Sequence, residues 1–290
     1  MSDSNKLFTT SWEGYELIDA GGGKKLESFG GITTIRPELQ AYFKSGISFE
    51  EWDKQSSCTF TEQSTTKGTW KKDTVWNDNA WYITFHTLRF KLELTTFKHI
   101  GIFPEQAENW SYIEDHLHAD DNFLNLFAYT GIASIVARNT RANVTHVDSV
   151  KHLIHWAKEN MNLNALDDIR WIQEDALVFA EKEVKRGKKY NMILMDPPAF
   201  GFGAKGEKWI LEQKLPALLQ AAYDLLSPNG TLILNTYSPK LDLAMLINST
   251  AKVFERKHII GKELWAKTTT GKNLFYGNLI RVKKGIKKLN

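Results

Sequence analysis

Short apolar runs recur along the second two-thirds of the chain, separated by polar and glycine-containing segments. They lie at residues 123–126, 143–148, 169–172, 192–195 and 230–235. Runs of this length without strict alternation are typical of strands buried on both faces of a parallel sheet. Segments with helical periodicity lie between the runs, and the alternation of the two patterns predicts an α/β fold.

The last part of the chain continues this pattern. An amphipathic segment at 215–226 predicts a helix, with Pro216 in its first turn, where a missing N–H does no harm. A second helix is predicted at 244–251, followed by two closing strands at 258–264 and 273–282. We therefore expect one α/β domain over residues 96–290.

The first 95 residues have a different pattern. Residues 81–85 and 88–94 alternate apolar and polar positions with period two, and three glycines at 21–23 mark a turn. These are signals of antiparallel strands, so we predict a small β-rich domain over residues 1–95. Its tryptophans are expected mainly in the core, although stacking on unpaired bases is a second interpretation. They are Trp12, Trp52, Trp70, Trp76 and Trp81.

Composition narrows the class of protein. A single cysteine, Cys58, excludes a disulfide scaffold and cysteine-cluster zinc sites, and the eight histidines show no metal-binding spacing. The start lacks an apolar signal region, and no run of 18 apolar residues occurs. We therefore expect a cytoplasmic protein without a resident metal and without a membrane partner.

The net charge of +3 is unevenly distributed along the chain. Residues 201–290 hold 15 basic and six acidic side chains, an excess of nine positive charges. Lys205 and Lys208 belong to this excess and follow the most distinctive loop of the sequence. Positive side chains there would suit the phosphates of a nucleic acid, whereas the last five residues are interpreted mainly as a solubilising tail.

Three of the predicted strands end in an acid, namely Asp148, Asp175 and Asp196. In open parallel sheets, ligands bind beyond the carboxyl ends of the strands. Asp148 follows Asn125 by 23 residues, a spacing at which an acid reaches ribose hydroxyls. The first strand-to-helix turn contains a single glycine, Gly131, and therefore lacks the G-x-G-x-x-G pattern. The absence of this pattern counts against nicotinamide and flavin enzymes.

The third acid opens the sequence Asp-Pro-Pro-Ala-Phe at 196–200. The prolines end the strand and stiffen the turn. A carboxylate and the Pro197 carbonyl can accept hydrogen bonds from a planar amine, on which the Phe200 ring can stack. This set of groups suits a nucleobase or an amide.

Taken together, residues 101–110, 125–131 and 196–200 resemble class I S-adenosylmethionine-dependent methyltransferases. Within them the resemblance is to the branch of bacterial large-subunit ribosomal RNA methyltransferases, and it covers about residues 95–290. It implies a Rossmann-like sheet of six parallel strands with an antiparallel hairpin strand. It also implies an enzyme that methylates a nucleobase of RNA, expected to be ribosomal, with S-adenosylmethionine as its cofactor.

The resemblance also assigns roles to individual residues. The cofactor would be bound by Gln106, Phe127, Tyr129, Thr130, Gly131, Asp148 and Asp175. Among these, Asp148 would hold the ribose and Asp175 the adenine amine. The substrate would face Asp196, Pro197 and Phe200, with Lys205 and Lys208 near its phosphates.

One departure from the branch concerns the methylated atom. Members that methylate a cytosine carbon use a cysteine in a T-C-S motif, because the ring carbon needs a thiolate adduct. Here the corresponding residues 236–238 read Thr-Tyr-Ser. We therefore expect transfer to nitrogen. Two alternatives remain open: methylation of a protein amide or small molecule, and a non-catalytic protein that binds RNA or the cofactor.

Overall fold

The computed structural model describes residues 3–9, 11–64, 67–73, 78–202 and 208–285. They form two compact units. One contains Glu108–Leu264 with the described residues before Phe8 and after Tyr276, and the other contains Phe8–Ala107 with Trp265–Tyr276. The second unit thus takes in a segment close to the carboxyl end as well as the amino-terminal region.

Strands and helices are numbered in chain order. The strands are β1 (Lys6–Thr9), β2 (Tyr15–Gly21), β3 (Lys24–Phe29), β4 (Ile32–Pro37), β5 (Cys58–Glu62), β6 (Gly68–Lys72), β7 (Ala80–Phe85), β8 (Leu88–Glu93), β9 (Asn122–Leu126), β10 (Asn143–Asp148), β11 (Ile169–Gln173), β12 (Tyr190–Met195), β13 (Phe200–Phe202), β14 (Lys208–Ile210), β15 (Leu226–Thr236), β16 (Ile259–Lys267) and β17 (Asn273–Lys283). The α-helices are α1 (Phe49–Gln55), α2 (Ala107–His116), α3 (Ile132–Asn139), α4 (Lys151–Leu163), α5 (Ala176–Lys185), α6 (Leu211–Leu225) and α7 (Leu243–Thr250). Short 3₁₀ helices lie at Asp3–Asn5, Pro104–Gln106 and Arg256–His258.

The large sheet has the strand order β1-β16-β17-β15-β12-β9-β10-β11. Neighbouring strands are parallel from β11 across to β15, and β17 is antiparallel to β15. The predicted Rossmann-like α/β sheet with an antiparallel strand is confirmed. Its central strands β9, β10 and β12 are almost entirely buried, as expected of parallel strands that are covered on both faces.

The topology of this sheet determines where a ligand can bind. β9 lies between β10 and β12, so the chain leaves β9 toward one side and later returns to its other side. Leu126 at the end of β9 pairs with Val147 and with Met195, and Met195 pairs with Leu234. The carboxyl ends of the four strands therefore lie along one edge, at a topological switch point.

Several predicted boundaries were wrong, and two of them lie next to the ligand-binding edge of the sheet. The helix expected from residue 215 begins at Leu211, so Pro216 lies inside α6 instead of in its first turn. Leu211 is fully buried, and its N–H donates to the Ala199 carbonyl at 3.1 Å, which starts the helix earlier. The strand expected to reach Asp175 ends at Gln173, because Asp175 caps the next helix.

The amino-terminal unit contains a five-stranded sheet of order β2-β3-β4-β5-β6 and the hairpin β7-β8. Trp52 and Trp81 are buried, and their indole N–H groups donate to Asp19 at 3.0 Å and to the Phe29 carbonyl at 2.8 Å. These two side chains form core, as the main interpretation expected. Trp76 lies outside the described residues.

Every helix in the described part of the chain is too short or too polar to span a membrane.

Candidate functional site

The turn that follows β9 has an unusual backbone. Phe127 and Tyr129 have φ values of 60° and 52°, and Gly131 has 82° at the start of α3. The Ala128 N–H donates to the Val147 carbonyl at 3.0 Å, which holds the turn against β10. Positive φ at two bulky residues is costly and persists only where the surroundings hold it, as is common at ligand-binding loops.

Gly131 is required by packing as well as by its backbone. A Cβ atom at this position would lie 2.7 Å from the Ala157 Cβ on α4. The glycine therefore lets α3 and α4 approach closely at the base of the turn. On the other side, the Asn160 side chain donates to the Thr130 carbonyl at 3.0 Å, so both predicted loop residues are fixed by α4.

Asp148 connects the turn to the end of β10. Its two carboxylate oxygens accept hydrogen bonds from the Tyr129 N–H at 2.9 Å and the Val150 N–H at 2.8 Å. Burial raises the pKa of Asp148, and the two N–H groups partly offset that effect. A carboxylate has about four acceptor positions, so two oxygens with one bond each can still accept from a ligand. Asp148 thus shapes the turn and still offers acceptors.

Asp175 also combines two functions. It is the N-cap of α5, where its Oδ1 accepts from the Val178 N–H at 2.9 Å. The Glu174 N–H next to it donates to the Asp148 carbonyl at 3.2 Å, which brings the two predicted acids to neighbouring strand ends. If Asp175 also bound an adenine amine, its carboxylate would serve both the helix cap and the ligand.

A buried polar chain beneath the turn was missed by the sequence interpretation. Asn125 donates to the Ser134 hydroxyl at 3.0 Å, and the same hydroxyl lies 3.0 Å from His146 Nδ1. Burial lowers the pKa of His146 to about 3, so its ring is neutral near pH 7. The three residues link β9, α3 and β10, and no local sequence pattern would have paired them.

The Asp-Pro-Pro loop is held by a tryptophan that the sequence interpretation also missed. The Trp209 indole N–H donates to the Pro198 carbonyl at 2.7 Å, and its ring lies 5.1 Å from that of Phe127. Trp209 is on β14, which pairs with β13 directly after the loop. One buried side chain therefore connects the turn after β9 with the loop after β12.

The predicted substrate-facing residues lie along this loop. Asp196 is half-buried and Pro197 is buried, whereas Phe200 is 53% exposed. The Lys208 ammonium is 5.6 Å from the centre of the Phe200 ring. The hairpin β13-β14 thus presents an aromatic face and a positive charge together. Lys205 lies outside the described residues.

Gln106 belongs to the other compact unit. It is buried and ends the 3₁₀ helix Pro104–Gln106, where its backbone N–H donates to the Phe103 carbonyl at 3.0 Å. Its predicted contact with the cofactor stays a prediction.

Comparison with known proteins identifies the family. Residues 67–265 match the model of a family described as S-adenosylmethionine-dependent methyltransferase. The crystal structure of a SAM-dependent methyltransferase from Agrobacterium tumefaciens is similar over 96% of this chain and 92% of that one. The two chains are 33% identical, with a TM-score of 0.88. The fold also resembles the complex of aTrm5 with tRNALeu, at 15% identity and a TM-score of 0.56 over 96% of this chain and 73% of that one.

Among curated proteins, the chain is similar to the ribosomal RNA large subunit methyltransferase K/L of Shewanella frigidimarina. The two are 34% identical over 177 residues, which is 59% of this chain and 24% of that protein. The chain thus spans about a quarter of the length of this relative. Because the family model covers more than half of the chain, the protein belongs to the S-adenosylmethionine-dependent methyltransferases, enzymes that use S-adenosylmethionine as methyl donor.

Proposed function

We propose that this enzyme methylates a nucleobase of RNA at a nitrogen atom, with ribosomal RNA as the first candidate substrate. The observation that carries the proposal is the loop after β12, where Asp196 precedes an exposed phenyl ring and an adjacent ammonium group. The similarity to a ribosomal RNA large subunit methyltransferase supports RNA as the substrate class. Such a protein would act in the cytoplasm.

The residues at the ends of β9 and β10 fit the cofactor. When bound, S-adenosylmethionine supplies a methyl group on a sulfonium ion that a lone pair can attack directly. Asp148 would accept from its ribose hydroxyls, and Asp175 from its adenine amine. The turn at residues 127–131 would enclose part of the rest. This fit depends on Asp148, because each of its carboxylate oxygens accepts one backbone N–H and can accept a further hydrogen bond from a ligand.

The residues after β12 would position the acceptor base. The Asp196 carboxylate would accept a hydrogen bond from an exocyclic amine, and the Pro197 carbonyl would accept a second one. The nitrogen would gain positive charge as it takes the methyl group, while the carbon–sulfur bond breaks to leave a neutral thioether. The nearby carboxylate would stabilise that charge until the nitrogen loses one of its protons to water. Phe200 would stack on the base and Lys208 would attract a phosphate. Catalysis in this arrangement is mainly orientation.

The state of the only cysteine favours nitrogen over carbon. Cys58 is buried in β5 of the amino-terminal unit, and burial raises the pKa of its thiol to about 12. A thiol of that pKa forms almost no thiolate near pH 7 and is a poor nucleophile. Methylation of a cytosine carbon through a covalent cysteine adduct therefore has no suitable residue, whereas transfer to an amine needs none.

The proposal is tested with the purified full chain, S-adenosylmethionine labelled in its methyl group, and total RNA from cells that lack the protein. We expect label in large-subunit ribosomal RNA, and nucleoside mass spectrometry should identify an N-methylated base. RNA from cells that contain the protein is the control and should accept little label. Label in a parallel protein extract but not in RNA would replace this proposal with methylation of a protein amide.

A further inference from the structure

Asn235 lies one residue before the end of β15 and has no exposed surface. Neither its Oδ1 nor its Nδ2 has a hydrogen-bond partner anywhere in the described part of the chain. Proteins rarely leave both polar atoms of a buried amide unpaired, because each has given up its bonds to water. The position therefore needs an explanation that packing alone does not provide.

The register of the sheet places this amide beside the Asp-Pro-Pro loop. Leu234 on β15 pairs with Met195 on β12, so Asn235 follows Leu234 where Asp196 follows Met195. Parallel neighbours are about 4.8 Å apart. The carboxamide and the predicted catalytic carboxylate therefore leave adjacent strands at the same edge.

Side-chain alternation shows which face the amide is on. Leu234 and Met195 both belong to the core cluster that α6 covers. Successive residues of a strand point to opposite faces, so Asn235 points to the face that is not covered by α6. On that face, Arg281 of β17 pairs with Ile233 and donates to the Glu108 carbonyl of α2 at 2.8 Å. Asn235 thus faces the same side of the sheet as α2.

The position along the sheet separates this amide from the groups assigned to the cofactor. The acids proposed for ribose and adenine lie at β10 and next to β11, on one side of β9. Asn235 is on β15, which lies beyond β12 on the other side. A ligand that reaches both Asp196 and Asn235 is therefore on the substrate side of the switch point.

We propose that Asn235 binds the substrate base, with Nδ2 donating to an acceptor on the edge of the base and Oδ1 accepting from an N–H. This inference rests on the proposed function and extends it with a residue that selects the base. A carboxamide offers one donor site and one acceptor site side by side, the arrangement that reads a base edge with two hydrogen bonds.

The test compares Asn235→Leu with Thr236→Val. Thr236 is also fully buried with a hydroxyl that lacks a partner among the described residues, but alternation puts it on the opposite face. Both variants remove an unpaired buried polar group while roughly keeping the shape of the side chain. Both should therefore unfold at the same temperature as the wild type or a higher one.

The two variants should differ in activity. With labelled S-adenosylmethionine and RNA from cells lacking the protein, we expect Asn235→Leu to lower kcat/KM at least tenfold. Thr236→Val should stay within twofold of the wild type. In calorimetry, both should bind S-adenosylhomocysteine within twofold of the wild type. Asn235→Asp should lose activity as well, because it removes the donor.

Four results would overturn the inference. The first is a wild-type kcat/KM in Asn235→Leu. The second is a loss of affinity for S-adenosylhomocysteine in this variant, which would assign the amide to the cofactor. The third is a lower unfolding temperature or a failure to fold, which would assign the amide to internal structure. If the wild type labels no RNA, the proposed function fails and this inference fails with it. Normal labelling by both wild type and Asn235→Leu overturns the inference alone.

Discussion

Asp148 both shapes the turn after β9 and is assigned to the cofactor ribose. We predict that Asp148→Ala weakens binding of S-adenosylhomocysteine by about ten- to 150-fold, from the loss of about 1.5–3 kcal/mol of charge-assisted hydrogen bonding. Isothermal titration calorimetry measures this effect. Asp115→Ala, at an exposed acid on α2, should bind like the wild type. Unchanged affinity in Asp148→Ala would remove the ribose assignment.

Asp196 is expected to act on the substrate and not on the cofactor. Asp196→Asn preserves the size of the side chain but removes the charge that would stabilise the positive nitrogen. We predict that single-turnover methyl transfer falls at least tenfold, a rise in barrier of about 1.4 kcal/mol or more, while cofactor affinity stays within a few-fold. A collapse of cofactor affinity with an unchanged rate per bound complex would make Asp196 a cofactor ligand.

At the scale of elements, the contact of α3 with α4 depends on Gly131. Gly131→Ala introduces both a left-handed alanine and a methyl group 2.7 Å from Ala157 Cβ. Gly187→Ala is the matched control, because its φ of 69° is similar and no atom lies within 4 Å of the new methyl.

We predict from urea unfolding that Gly187→Ala destabilises the protein by about 1–2 kcal/mol, the cost of the backbone conformation alone. Gly131→Ala should cost about 1–3 kcal/mol more, because it also overpacks the helix contact. Equal losses in the two variants would mean that α4 moves away freely and that the close approach is not required.

The hairpin β13-β14 is expected to hold the Asp-Pro-Pro loop through Trp209. Trp209→Phe keeps an aromatic ring near Phe127 but removes the indole donor to the Pro198 carbonyl, worth about 1 kcal/mol. We predict a several-fold lower kcat with unchanged affinity for S-adenosylhomocysteine. Trp81→Phe removes a similar indole bond, to the Phe29 carbonyl, and should lower stability without lowering kcat. A wild-type kcat in Trp209→Phe would show that the loop does not need the indole hydrogen bond.

At the scale of the whole molecule, folding keeps buried groups in defined charge states. Burial lowers the pKa of His146 to about 3 from an ordinary 6.5. Glu183 is buried too, which raises its pKa, but hydrogen bonds from Arg170, Arg186 and Tyr190 more than offset this and lower it to about 2. Acid therefore destabilises the fold through both groups.

For His146 the sign follows from proton binding. Between pH 6.5 and about 3 the unfolded chain binds a proton that the folded protein excludes, so stability falls as the pH falls through this window. The slope for one such group approaches about 1.4 kcal/mol per pH unit. We predict that His146→Gln reduces the loss in unfolding free energy between pH 7 and pH 5 by about 2 kcal/mol. His118→Gln, at an exposed histidine, is the control for the substitution itself.

The basic excess of residues 201–290 is partly structural. Lys284 donates to the carbonyls of Tyr223 and Leu226 near the end of α6, at 2.6 Å and 2.9 Å. The Arg281 guanidinium lies 4.2 Å from the centre of the Tyr112 ring. These two charges stabilise the fold, which leaves residues such as Lys208 as better candidates for RNA phosphates.

The sequence by itself determined the buried parallel strands of the large sheet, the acids Asp148 and Asp196 at the ends of two of them, and the family. Buried parallel strands need unbroken apolar runs such as 192–195, and the turns that follow need particular residues such as Gly131, so both leave local signals. The Asp-Pro-Pro loop could be recognised for the same reason, since proline restricts its own backbone and that of its neighbour.

Only the tertiary structure decided which residues meet at the site. Trp209 reaches back to Pro198, Asp148 reaches back to Tyr129, and Asn235 becomes buried beside the strand that carries Asp196. The start of α6 at Leu211 likewise depends on a bond to Ala199. Each contact joins residues that are far apart in the chain or in different elements. Hydropathy patterns and turn preferences describe only local conformation, so such pairings appear only when the strands assemble into the sheet and the helices pack against it.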